Sequence, residues 1–225
     1  MKYDEEADVR TDTAIKIMAL FFASIMFLAF TTDPIASGTK EGQRAPALEG
    51  MSYNGTGWSQ FNMDDWLVEN WSEGDDTADW LVVEFMDTDC GYCWDAASNI
   101  GQYADYFSKT NTYEEQIWDG PVINFIASVG ELNIQGHESS RDEIVAFRDK
   151  SGEESCAKGD CTNRPGNPHH FTYVDDLNLE NMDAWKVAGT PTYYLLQPDG
   201  IVVWVSSENP NEELPGAIQR LMGGE

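Results

Sequence analysis

Apolar residues along the chain follow three different rhythms, and each predicts a different element. One is an unbroken run: from Ile17 to Phe30 there is no charge and no turn-former. Counted from Thr13 to Thr32 it covers about 20 residues, enough for a helix to cross a bilayer with Lys16 reaching back to the interface. A second rhythm is the short apolar block bounded by charged or turn-rich sequence. Residues 80–86 (WLVVEFM) and 121–129 (PVINFIASV) have it and read as buried strands. The third is recurrence at spacings of three and four, as in Cys93, Ala96, Ala97, Ile100, Tyr103, Ala104 and Phe107, which predicts a helix over 93–108.

The same rules extend to the rest of the chain. Asn54-Gly55 marks a turn and a hairpin. Residues 139–150 read as a helix with Ser140 as N-cap and Glu143 in the capping-box position. A strand follows at 171–176, then a short helix at 178–189 ended by Gly189. Residues 192–205 form a hairpin around Asp199-Gly200, and 211–223 a closing helix with Pro215 in its first turn. Strands alternating with helices predict an α/β fold, a central mixed sheet flanked by helices. The implied layout is a cytoplasmic tail at 1–14, a transmembrane anchor or uncleaved signal at 15–32, a linker at 33–44 and a folded domain at 45–225. That domain carries an irregular Gly- and Pro-containing insert at 151–170. The layout places the domain outside the cytoplasm.

Charge changes the list of partners. Forty acidic residues against 13 basic ones give a formal charge of −27, a field that repels nucleic acid and anionic lipid, so nucleic-acid binding is excluded. The acids are spread along the whole chain, as on a solvated surface adapted to salt. Asp87, Asp89, Asp95 and the isolated His137 are read as parts of that surface. Asn54-Gly-Thr and Asn70-Trp-Ser match the N-glycosylation acceptor pattern.

Four cysteines form two close pairs, which suits an oxidising compartment. Cys90 and Cys93 lie between a strand and a helix, so Cys90 falls at a helix N-terminus, where unpaired N–H groups and the helix dipole stabilise a thiolate. Cys90 is expected to be partly exposed and to attack, with Cys93 one turn deeper as the resolving thiol. Half of a zinc site and a merely packed pair remain alternatives. Cys156 and Cys161 read first as a structural disulfide, with a second redox relay or a metal site with His169 and His170 as alternatives.

Two separated motifs carry a family resemblance. "LVVEFMDTDCGYC" resembles the active-site strand and loop of the thioredoxin superfamily, and "VAGTPTYYLLQPDGIVV" resembles its cis-proline loop and hairpin. With "GQRAPALEG" near residues 42–50, the chain is most similar to the membrane-anchored TlpA/ResA-like, redoxin-type thiol–disulfide oxidoreductases. The resemblance implies a thioredoxin-like fold, a Cys90/Cys93 redox couple, a buried proton acceptor at Glu84 and a cis peptide at Thr190-Pro191. The Thr190 backbone, Pro191 and the Gly91-Tyr92 dipeptide would then face the substrate. It implies no cofactor and no metal. The implied partners are cysteine-containing protein substrates, a redox partner protein and the membrane.

Three positions depart from the family pattern: Asp89 for Trp, Tyr92 for Pro, and Ser98 where relatives carry a kinking Pro. The aspartates are expected to leave the Cys90 pKa less depressed than in strong oxidases. The expected activity is protein disulfide exchange with the reductant direction favoured. A disulfide oxidase or isomerase and a copper chaperone of redoxin fold are the alternatives.

Overall fold

The computed structural model describes residues 4–31, 35–75, 77–108 and 118–222. Contacts divide it into two units, residues 1–36 and 37–225. The first is a single helix, α1 (Asp4–Thr31), whose window Thr11–Leu28 is long and apolar enough to cross a membrane. Residues 1–3 of the expected tail, 32–34 at the junction of anchor and linker, Asp76 in the acidic loop and 223–225 at the C-terminus lie outside the described residues.

The second unit is built on the strand expected at 80–86. Every residue of β3 (Trp80–Met86) is buried, so the strand lies between two layers. Its period of two divides it between them. Trp80, Val82 and Met86 enter one core with both reactive-spacing cysteines, while Leu81, Val83 and Phe85 enter the other. Glu84 therefore points to the cysteine side.

Beside β3 run β4 (Ile123–Gly130), parallel, and β8 (Thr192–Leu196), antiparallel. β7 (Thr172–Asp176) pairs parallel with β4, and β9 (Val202–Val205) closes the hairpin with β8. The Asn54-Gly55 turn joins β1 (Glu49–Tyr53) to β2 (Trp58–Asn62), and this hairpin adds to the β7 edge. The order across the seven strands is β2-β1-β7-β4-β3-β8-β9. A second, small hairpin in the insert, β5 (Ser155–Cys156) with β6 (Gly159–Asp160), stands apart from the sheet.

Helices α2 (Gly91–Phe107), α3 (Arg141–Asp149) and α5 (Leu214–Met222) bury apolar stripes on the cysteine side. Three expectations are corrected here. α2 begins two residues before 93, because Cys90 itself serves as N-cap. The helix expected at 178–189 is only α4 (Glu180–Ala184), since Lys186 turns to positive φ and Gly189 lies beyond it, before Pro191. Residues 37–44 are not a loose linker. Arg44 bridges to Ile201, and Gly42 N–H donates to the Val202 carbonyl at 2.8 Å.

Candidate active site

The dithiol sits where β3 gives way to α2. Asp87 organises the intervening loop as an Asx turn: its Oδ1 accepts from Asp89 N–H at 2.7 Å and its carbonyl accepts from Cys90 N–H at 3.1 Å. The Cys90 sulfur then caps the helix, accepting from Cys93 N–H at 3.3 Å. It also lies 3.4 Å from the Thr190 carbonyl oxygen, to which the thiol donates when protonated.

Hydrogen bonds move the Cys90 pKa down to about 6. The largest comes from the Cys93 thiol, and the Thr190 side chain and the Cys93 and Tyr92 backbone amides add theirs against the opposing effect of burial. Cys93 moves the other way, held strongly as a thiol by its burial. The pair thus has one thiol poised to ionise and one that needs a base. Cys90 is more enclosed than expected, at 4 % exposure, whereas Tyr92 beside it is 79 % exposed.

A row of side chains crosses the sheet beneath the dithiol. Register pairs Tyr193 with Glu84, Glu84 with Ala127, and Ala127 with Tyr173, so all four share one face. Glu84 is 2 % exposed, and burial raises its pKa to about 7 against the lowering influences of the Tyr193 hydroxyl and the Arg164 charge. Its Oε2 has no hydrogen-bond partner.

The insert supplies Arg164, fully buried. It donates to the carbonyls of Phe147, Pro165, Arg148 and Asn167. Arg164 also meets His169 at 2.9 Å, and the other ring nitrogen of His169 lies 2.7 Å from the Tyr173 hydroxyl. Burial pushes His169 down to about 3, so it is neutral. This network occupies His169, and Cys156 and Cys161 are joined in a disulfide. The disulfide hairpin packs on the CGYC turn: Ala157 N–H donates to the Thr88 carbonyl at 3.1 Å, and Lys158 meets Asp95 at 2.6 Å.

The largest correction concerns the aspartates and His137. Asp87 and Asp89 are 0 % and 5 % exposed, not a solvated rim. His137 is not isolated: its Nδ1 lies 2.6 Å from Asp89 and 3.7 Å from Glu143. Glu143 turns away from the capping-box role to accept from the Thr88 hydroxyl. Spacing could not show this, because loops far apart in sequence meet only in three dimensions, although Asp87-x-Asp89 before a helix carries a local Asx-turn signal. Asp89, His137 and Glu143 form the one group among the described residues with ligand-like spacing, their donor atoms within 4.8 Å of one another. The 2.6 Å separation is that of a hydrogen bond, closer than two ligands of one ion stand (about 3 Å or more).

No protein-family model and no curated protein sequence matches this chain. Solved structures do. An uncharacterized conserved protein from Geobacillus kaustophilus matches with TM-score 0.50 and 16% identity over 74% of this chain and 68% of its own. The thioredoxin domain of a thiol-disulfide oxidoreductase from Bacteroides vulgatus matches with TM-score 0.45 and 12% identity, covering 81% of this chain and 95% of that one. A reduced 2-Cys peroxiredoxin from Plasmodium vivax matches with TM-score 0.48 and 15% identity over 76% and 72%. The peptide bond at Thr190-Pro191 is cis, and a CxxC pair caps the helix after the central strand. With the mixed sheet flanked by helices, these features make the fold thioredoxin-like.

Proposed function

We propose that this chain is a membrane-anchored thiol–disulfide oxidoreductase acting on protein disulfides outside the cytoplasm, in the reducing direction. One observation carries the reading: a low-pKa Cys90 capping α2, with a protonated Cys93 one turn on and the buried Glu84 on the same side of the sheet.

The Cys90 thiolate attacks one sulfur of a substrate disulfide. A mixed disulfide forms, and the other substrate sulfur leaves as a thiolate that takes a proton from solvent. Glu84 then accepts the Cys93 proton, and the Cys93 thiolate attacks Cys90. The second substrate sulfur leaves as a thiolate and takes a proton from solvent, Glu84 returns its proton to solvent, the substrate is reduced by two electrons, and Cys90–Cys93 becomes the disulfide. A partner dithiol returns it to the starting state. The Thr190 backbone and Pro191 pair with an extended substrate segment, and Gly91-Tyr92 borders it. α1 anchors the domain, and Cys156–Cys161 is a structural disulfide.

Reduction of insulin disulfides by the full chain in detergent tests this reading. Activity that disappears in Cys90→Ser supports it. An inactive protein that instead binds Cu(I) stoichiometrically through Cys90 and Cys93 would make it a copper chaperone.

A further inference from the structure

Three carboxyl groups lie in or against the loop that delivers Cys90: Asp87, Asp89 and Glu143, each 5 % exposed or less. A carboxylate beside a nascent thiolate opposes it, and burial strengthens that opposition. Among the described residues no Lys or Arg pairs with any of the three; the side chain that does is His137.

The loop carrying His137 is fixed there at separate points. Leu132 N–H donates to Asp87 Oδ2 at 2.8 Å. The Thr88 hydroxyl lies 3.1 Å from Ser139 Oγ and donates to Glu143. His137 thus stands against the residue that immediately precedes the nucleophile, with its side chain 47 % exposed and Nδ1 engaged by Asp89.

We infer that His137 is a positioning residue for Cys90: its imidazolium, held on Asp89 and shared with Glu143, offsets the carboxylates around the nucleophile. The inference rests on Cys90 being the attacking thiol. The charged groups facing His137 are Asp89, Glu143 and, further off, Glu131; Asp87 in turn faces Asp89. All are acidic, so each favours the imidazolium. The Asp89 hydrogen bond is the largest influence raising the His137 pKa, which extends the charged form to higher pH than an unpaired imidazole reaches.

The test is the pH dependence of Cys90 alkylation by iodoacetamide, measured on the full chain in detergent with the modified peptide identified by mass. In His137→Ala the alkylation midpoint moves up by about one pH unit, a roughly tenfold loss of thiolate below it. Asp89→Asn moves the midpoint down, since a negative charge is gone. The double variant His137→Ala/Asp89→Asn returns close to the parent, and His137→Lys, which keeps a cation, stays close as well.

An unchanged midpoint in His137→Ala overturns the inference. So does a double variant shifted as far as His137→Ala, which would assign His137 to packing alone. The parent reading fails differently, by insulin reduction surviving Cys90→Ser, because alkylation is read without turnover.

Discussion

Replacing Glu84 by glutamine keeps the shape of the side chain and removes its titrating proton. In the folded protein burial lifts this carboxyl from 4.5 to about 7. The folded state therefore keeps a proton that the unfolded chain has already released. Stability falls as pH rises through that interval and stays lower above it. At about 1.4 kcal/mol per pH unit the loss comes to about 3 kcal/mol. Glu84→Gln escapes it. The variant should match the parent near pH 4 and exceed it by about 3 kcal/mol near pH 8, while its disulfide reductase turnover near neutrality falls about 100-fold. Urea unfolding of both proteins in detergent, followed by tryptophan fluorescence across that pH range, measures the difference. Asp87 and Glu143 are raised by burial too, but they titrate in both proteins and cancel. A difference curve that stays level with pH would show that Glu84 does not titrate from a buried site, and its role as proton acceptor would fall with it.

The insert yields two further predictions. Cys156 and Cys161 are five residues apart, so removing the crosslink in Cys156→Ser/Cys161→Ser should cost roughly 2 kcal/mol on loop-entropy grounds and lower Tm by roughly 4–8 °C; an unchanged Tm would refute the assignment as a structural disulfide. Arg164→Met removes the donor to the buried Phe147 carbonyl and to the Pro165 and Asn167 carbonyls, while the Arg148 carbonyl keeps the His169 N–H, and should cost about 3 kcal/mol. It also removes a positive charge that lowers the Glu84 pKa, so the Glu84-dependent loss of stability should start at the same pH but continue to higher pH and become larger, and the same urea series would expose a wrong sign.

How much of this could be read in the chain depended on the range of the interactions. β3 was legible to the residue, because a strand buried on both faces must be apolar throughout, and that makes Glu84 conspicuous. The helix N-terminus at Cys90 and the Thr190-Pro191 loop were legible too, through punctuation and motif order. The Ser140 cap held, since N-capping is local: Glu143 N–H donates to Ser140 Oγ at 3.1 Å. What stayed hidden was long-range and polar. Nothing local says that Asp89 meets a histidine 48 residues away, or that an arginine in an irregular insert lies fully buried on the cysteine side of the sheet. With 40 acidic residues in the chain, a buried aspartate looks like any other until its N–H donors are placed. The short α4 is a milder case, its end set by the positive φ of Lys186 and not by the nearest glycine.

The central claim is an order of events, Cys90 attacking and Cys93 resolving, and trapping tests it most directly. Cys93→Ser leaves the attacking thiol but nothing to release the substrate. Incubated with a disulfide-containing protein such as insulin, it should accumulate a mixed disulfide through Cys90 that dithiothreitol reverses, while Cys90→Ser accumulates none. A stable adduct through Cys93 in Cys90→Ser, or no adduct in Cys93→Ser, would contradict the account.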